Sequence, residues 1–321
     1  MEMLACCAVD SRAEHLSGGA QEFLDFIIVG AQKAASTLLV DALGRHPDIW
    51  MPDTETHFFR NPYYREAALP ELSSLLKPTS AGRRIGIKCP NYLGSPEVPP
   101  RIARHVPHAS IVVSLRDPVR RAVSAYYWYM LWGFIPDLPL GQGLAAILDG
   151  KVDGTHPCAR EVLEYGLYGK HLTHWERFLP RKQFVIVTDA ELKRDLKGTL
   201  SFIVARIGAS ARDVVPDPTT RSNEGIYSLS RIRFLQRRNR FVFTWNAGRQ
   251  VPEMRRPTRG YPAAFNAAVV GIDRLILQRT CADDSLMLAP DLVERLRAFY
   301  REDLQLLRSN FGVPVEDWSL R

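Results

Sequence analysis

Short apolar runs alternate along this chain with stretches in which apolar positions recur every three or four residues, a pattern that predicts strands and helices in turn. Phe26–Gly30 (FIIVG), Arg84–Lys88 (RIGIK), Ser110–Leu115 (SIVVSL) and Phe184–Thr188 (FVIVT) read as strands, SIVVSL being the clearest buried one, and Ile49-Trp50-Met51 as a short extended segment. A helix follows the first strand and ends near Arg45-His46-Pro47, and another is expected over Pro96–Val106. Asp117-Pro118 offers an N-cap followed by proline at the first helical position, opening an aromatic-rich helix to about Trp132. In that helix Tyr126, Tyr127, Trp128 and Tyr129 cannot all face inward. Glu161–Leu179 reads as one helix with Leu163, Leu167, His171 and Trp175 spaced by four, Ala190–Ile207 as a long helix, and Pro290–Phe311 as an amphipathic one. Residues 133–158, rich in Gly, Pro and Asp, read as a surface excursion. Residues 221–282 give no clear pattern, and residues 1–22 read as a flexible N-terminus. Strands alternating with helices argue an α/β fold, a P-loop-type parallel β-sheet flanked by helices on both faces. The expected organisation is one domain over 23–321, with insertions at about 133–158 and 221–285 forming the acceptor side.

Composition sharpens this. The chain has 321 residues, 46% of them hydrophobic, enough for a substantial core. Its five cysteines (Cys6, Cys7, Cys89, Cys158, Cys281) show no C-x-x-C spacing, and their odd number cannot pair completely. Reduced thiols in a cytoplasmic protein are expected. The run Leu4–Val9 is too short for a signal-peptide core, and no run approaches the ~18 apolar residues of a membrane span. The net charge of +7 resides in one segment: residues 231–260 hold nine arginines and one acid, Glu253, a local +8 that leaves the rest of the chain at −1. This segment is either a wall that attracts a phosphorylated cofactor or acidic acceptor, or a solvated loop. A nucleic-acid footprint is not expected, because basic residues elsewhere are not interleaved with stacking aromatics.

The chemistry gathers at strand ends. Gly30–Thr37 (GAQKAAST) joins a strand to a helix start, where backbone N–H groups and Lys33 form an anion cradle. The ATP-binding loop has its lysine directly before the hydroxyl that holds magnesium; here Lys33 comes three residues before Ser36, so a magnesium-bound triphosphate is not expected. Lys88 ends the second strand. Arg116 follows SIVVSL, and Ser124 lies two helical turns further on, on one helix face with Arg120 and Tyr127. An arginine plus a hydroxyl suits a second, separate phosphate. Two such sites imply a ligand with phosphates at both ends of a nucleoside.

These motifs resemble those of the sulfotransferases that use 3′-phosphoadenosine 5′-phosphosulfate (PAPS), most closely the heparan sulfate sulfotransferase branch and its bacterial relatives. GAQKAAST resembles the 5′-phosphosulfate loop, SLRDPVRRAVSAYY the 3′-phosphate motif and ETHFF the acidic-aromatic motif of the acceptor side. GIKCPNYL, YGLYGKHLTHWERFLP and LRAFYREDLQLLRSNFG match as well, so that the resemblance covers about residues 24–210 and 288–318. It implies the sulfotransferase fold, PAPS as donor with PAP as product, no metal, and cofactor contacts from Gln32, Lys33, Ala34, Ala35, Ser36, Thr37, Arg116 and Ser124. Arg259 and Gly260 match an Arg-Lys-Gly motif that closes over the 3′-phosphate in many relatives. Two departures stand out: relatives carry glycine and threonine where Ala35 and Ser36 stand, and Lys88-Cys89-Pro90 offers no histidine base after the second strand.

The implied reaction is in-line sulfuryl transfer to an acceptor hydroxyl or amine. Glu55 or His57 serves as base, and Lys33 and Lys88 support the charge on the leaving phosphate. Phe58 and Phe59 read as core rather than as a substrate platform. The acceptor is a small molecule or carbohydrate that the motifs do not specify, and they are silent on oligomeric state. Two other readings remain: a P-loop nucleotide kinase or NTPase, and a polyanion-binding module built on residues 231–259.

Overall fold

The computed structural model describes residues 23–76, 82–210, 225–245, 252–254, 259–281, 288–316 and 318; the flexible N-terminus expected at 1–22 lies outside them. Along the chain run β1 (Phe26–Gly30), α1 (Ser36–Leu43), β2 (Ile49–Trp50), α2 (Leu69–Leu75), β3 (Arg84–Lys88), α3 (Val98–His105), β4 (Ser110–Leu115), α4 (Pro118–Leu131) and α5 (Leu140–Leu148). There follow α6 (Glu161–Glu164), α7 (Tyr168–Glu176), β5 (Phe184–Thr188), α8 (Asp189–Arg194), α9 (Leu196–Arg206) and α10 (Leu229–Val242). The last elements are β6 (Phe243–Trp245), β7 (Pro252–Met254), α11 (Gly260–Ile272), α12 (Gln278–Thr280) and α13 (Pro290–Phe311). Two compact units divide them: Met1–Arg116 with Tyr168–Ser222, and Asp117–Leu167 with Asn223–Arg321.

The first unit holds a five-stranded sheet in the order β2-β3-β1-β4-β5, every pairing parallel. All five residues of β1 are buried, which is why FIIVG shows no alternation: both of its faces are covered. On one face Leu39 and Leu43 of α1 and Leu200, Ile203 and Val204 of α9 close over Phe26, Ile28, Val112 and Val185. The chain runs from β1 to β2 and β3 on one side, then crosses to β4 and β5 on the other. The strand order therefore reverses between β1 and β4, the point at whose carboxyl ends open α/β sheets bind their ligands.

The helix expected over 190–207 is two helices. A capping box of Thr188 and Glu191 starts α8. Asp195, at φ −145° and ψ 80°, stops it, and its carboxylate accepts the Gly198 N–H at 2.9 Å to open α9.

In the second unit α4 begins as expected, the Asp117 carboxylate accepting the N–H groups of Val119 (2.9 Å) and Arg120 (3.0 Å). Tyr126, Tyr127 and Tyr129 are buried, and Trp128 stays half-exposed. The excursion expected at 133–158 contains a packed helix instead: α5 buries Leu140, Leu144 and Ile147. Its glycines misled the reading. A Cβ on Gly143 would lie 1.9 Å from the Tyr126 hydroxyl, so this glycine permits close packing. The helix expected over 161–179 is also broken, into α6 and α7, between which the chain passes from the second unit to the first. Gly166 stands in the break, where a Cβ would meet the Tyr300 ring at 2.9 Å. Leu167 and His171 are only partly buried, while Leu163, Leu172 and Trp175 are buried.

The region without a readable pattern holds α10, the antiparallel β6–β7 pair, α11, a π-helical stretch Asp273–Leu277 and α12. Part of its positive charge is answered within the unit. Arg231 forks onto Asp273 at 2.9 and 3.0 Å, and Arg233 pairs with Asp137 at 2.9 Å.

Candidate active site

The loop after β1 is tied to β4 by backbone and hydroxyl bonds. The Ala31 N–H donates to the Ser114 carbonyl at 2.7 Å, and the Ser114 hydroxyl donates to the Ala34 carbonyl. Between these ties Lys33 (φ 66°) and Ala35 (φ 63°) take the left-handed conformation, so the backbone doubles back before α1. Ala35 is the N-cap of α1, and no side chain caps the helix. The first N–H groups of α1 therefore point out of the loop beside Lys33.

Arg116, directly after β4, donates through Nη1 to the Lys33 carbonyl at 3.3 Å, and its Nε lies 3.6 Å from Asp189 at the end of β5. The Tyr168 hydroxyl donates to its carbonyl at 2.8 Å. Lys88 ends β3 with Nζ 3.5 Å from the Thr37 hydroxyl and 3.0 Å from a Glu55 carboxylate oxygen. Lys33, Lys88 and Arg116, predicted from separate strand ends, thus come together. Burial, with the neighbouring Arg116 and Lys88 charges, lowers the Lys33 ammonium to about 8; Glu55 only partly opposes this. Among the described residues Lys33 has no carboxylate within ion-pair distance. Such a set of cations is arranged for an anion from outside.

Glu55 and His57 lie on a segment pinned to the end of β3. The Thr56 N–H donates to the Lys88 carbonyl at 3.0 Å. The Tyr92 hydroxyl donates to the Thr56 carbonyl and accepts the Phe59 N–H at 3.1 Å. His57 has Nε2 3.9 Å from Glu55 and Nδ1 3.3 Å from the Cys89 sulfur. Burial, its largest influence, lowers the His57 pKa and keeps the ring neutral; burial also pushes the Cys89 thiol up to about 12, so it is no nucleophile. Phe59 is buried against Tyr92, in keeping with a core role, and Phe58 is partly buried.

The remaining predicted residues are placed as follows. Gln32 is buried and donates to the Asn91 side chain at 3.1 Å. Ser124, in the second unit, is buried and its hydroxyl accepts from Tyr227 at 3.1 Å; Tyr127 beside it is buried, whereas Arg120 is exposed. Arg259 and Gly260 are exposed at the start of α11. Sequence reasoning missed Ser114, Tyr92 and Asn91, which hold the loops, and Tyr227. The first three sit inside the motifs SLRDPVRRAVSAYY and GIKCPNYL, and an uncharged polar residue within or a few residues beyond the end of a strand was the available signal.

No protein-family model matches the chain. Human heparan sulfate glucosamine 3-O-sulfotransferase 3A1 is 30% identical over 193 residues, 60% of this chain and 46% of the relative. Human heparan sulfate glucosamine 3-O-sulfotransferase 6 is 32% identical over 191 residues, 59% of this chain and 54% of the relative. The chain thus spans about half the length of these relatives. A sulfotransferase from Alicyclobacillus acidocaldarius superposes with a TM-score of 0.62 at 21% identity, covering 92% of this chain and 98% of that one. The five-stranded parallel sheet flanked by helices is the fold shared with that structure, and over about 190 residues the sequence is similar to the two heparan sulfate sulfotransferases.

Proposed function

We propose that the protein transfers a sulfuryl group from PAPS to an acceptor hydroxyl or amine, releasing PAP, and that Lys33, Lys88, Arg116 and Glu55 do the work. The observation that carries this reading is the convergence of Lys33, Lys88 and Arg116 from the ends of β1, β3 and β4, with Arg116 bonded to the Lys33 carbonyl, Lys88 beside Thr37 and Glu55 3.0 Å from Lys88. The donor set fits the ligand: a doubly anionic phosphosulfate offsets the mutual repulsion of the three cations and accepts hydrogen bonds from the start of α1. When bound, PAPS supplies the sulfuryl group, whose bond to the bridging oxygen breaks as the bond to the acceptor forms. Lys33, with the N–H groups from Ala34 to Thr37, holds the 5′ end and stabilises the charge left on the phosphate. Lys88 orients the Glu55 carboxylate through its 3.0 Å contact. Glu55 takes the acceptor proton. His57 is engaged with Cys89 through Nδ1 and has Nε2 3.9 Å from Glu55; the base role goes to Glu55, which Lys88 holds directly. For the 3′-phosphate, Arg116 and Ser124 rest on the sequence motif, as do Gln32, Arg259 and Gly260 for the nucleotide.

The names of the curated relatives specify a glucosamine 3-O position, which supports a carbohydrate hydroxyl as acceptor. We assign acceptor choice to residues 133–158 and 221–285, within one sulfotransferase domain over 23–321. The free thiols of Cys89 and Cys281 support a cytoplasmic setting. A thermal-shift comparison tests the reading: stabilisation by PAP and not by Mg-ATP is expected, and the opposite pattern overturns it in favour of a nucleotide kinase.

A further inference from the structure

Residues 260–280, formed by α11, the π-helical stretch and α12, carry an apolar face turned to solvent. Val269 and Asp273 are the buried residues of the stretch, Asp273 within its forked pair with Arg231. Of the large side chains, Tyr261 is 72% exposed, Ile272 42%, Leu275 67% and Ile276 53%. Ala264 and Ala268 between them are also exposed. Tyr261, Ala264, Ala268, Ile272, Leu275 and Arg279 follow one another at intervals of three or four, which sets them on one stripe. Large aliphatic side chains on a contiguous exposed face mark an interaction surface.

Charge decides what covers it. The one acid in 260–280 is Asp273, and it is withdrawn into its arginine pair. Arg279 ends the stripe and Arg274 directly precedes Leu275, both exposed. A second copy docked by two-fold symmetry would set these arginines against their equivalents, with no acid on the stripe to answer them. An anionic lipid surface answers both features: its headgroups meet the arginines while Ile272, Leu275 and Ile276 enter the acyl boundary. No helix among the described residues is long and apolar enough to cross a membrane, so the contact is one that lies in the plane of the surface. We propose that residues 260–280 are an in-plane docking element for an anionic phospholipid bilayer.

Vesicle flotation tests this with the intact chain, using phosphatidylcholine alone and phosphatidylcholine mixed with phosphatidylglycerol. Binding at least roughly tenfold tighter to the anionic vesicles is expected, falling as salt rises. Leu275→Gln with Ile276→Gln, and separately Arg274→Gln with Arg279→Gln, should each weaken it by about tenfold or more at an unchanged melting temperature. The first pair removes apolar insertion and the second removes charge, so loss in both separates docking from simple ion attraction. Equal partition of the unmodified protein onto neutral and anionic vesicles overturns the proposal without recourse to any variant. Binding untouched by both pairs also overturns it. A sedimenting dimer that the first pair dissolves, with no vesicle binding, assigns the face to a second copy instead.

Discussion

The two most basic places in the chain behave in opposite ways. On α10, Arg231 and Arg233 have carboxylate partners at hydrogen-bond distance, and the positive charge of the segment is partly spent within the fold. At the carboxyl ends of β1, β3 and β4, Lys33, Lys88 and Arg116 are crowded so that burial and mutual repulsion lower the Lys33 pKa to about 8. By count the arginine segment dominates the sequence; at the strand ends Lys88 faces Glu55 and Arg116 faces Asp189, and it is Lys33, with no carboxylate within ion-pair distance among the described residues, that holds the unmet demand for an anion. A sum of charges locates basic sequence, whereas a depressed lysine pKa locates a place where negative charge is missing.

The sharpest way to break this contrast is at the strand ends. Glu55→Gln should lower kcat/KM for sulfuryl transfer by about a hundred- to ten-thousand-fold with little change in PAP affinity, as a base acting on the acceptor requires. Lys33→Ala should cost about a hundred- to a thousand-fold in transfer and weaken PAP binding, while leaving the melting temperature unchanged or higher. If both variants keep full transfer, the site lies elsewhere. Arg231→Ala should do the reverse. It leaves Asp273 buried without its partner, which costs about 3–5 kcal/mol of stability, seen in chemical denaturation, and PAP affinity in the folded fraction should be preserved. A loss of PAP affinity equal to that of Lys33→Ala would erase the distinction between the two basic regions.

How the two regions read from sequence follows the same division. Four strands of the first unit were legible to the residue and β2 to within one; β1 and β4, buried on both faces, are nearly continuously apolar, and their ends are marked by Gly30 and Arg116. Their convergence was legible too, since parallel strands place their carboxyl ends on one edge. Helix breaks were not: Asp195 and Gly166 interrupt runs whose periodicity continues on either side, and only the tertiary partner of each explains the break. α10 and α11 escaped for another reason. In α10 the arginines look like loop composition until Asp137 and Asp273, distant in sequence, are seen to answer Arg233 and Arg231, and in α11 Gly260, Pro262 and Gly271 mask the helical period. In the candidate site the charged groups were found and their uncharged supports were not. The roles of Ser114, Tyr92 and Asn91 depend on which carbonyl or amide each one faces, and spacing does not record that.

A pH titration sharpens the comparison at smaller amplitude. The folded pKa of Lys33, about 8, lies below its ordinary value of 10.5, so the folded protein releases this proton earlier than the unfolded chain. Between those two values the unfolded chain holds more protons and stability of the ligand-free protein should rise with pH; below about 8 the full cost of the buried charge is present. PAP restores the charge, so its binding should be accompanied by proton uptake above pH 8, and its affinity should fall up to tenfold per pH unit there. Calorimetry in buffers of different ionisation enthalpy reads the proton directly. Uptake that persists in Lys33→Met would assign it to another group.

The smallest effect expected concerns the residue at which this loop departs from its relatives. Ala35 sits at φ 63°, a conformation that costs a residue with a Cβ about 1–2 kcal/mol and glycine nothing. Against that, glycine loses more backbone freedom on folding, by up to about 1 kcal/mol. Ala35→Gly should therefore raise stability by about 1 kcal/mol or less, read as a small upward shift of the denaturation midpoint. Removing the methyl group also clears the approach of a ligand to the N-terminus of α1, so PAP affinity should rise a few-fold. The same substitution at Ala34, buried and without a positive φ, has no strain to relieve and should only destabilise. If Ala35→Gly and Ala34→Gly behave alike, the left-handed turn is not what shapes the cradle, and the loop owes its anion affinity to Lys33 and its neighbouring cations alone.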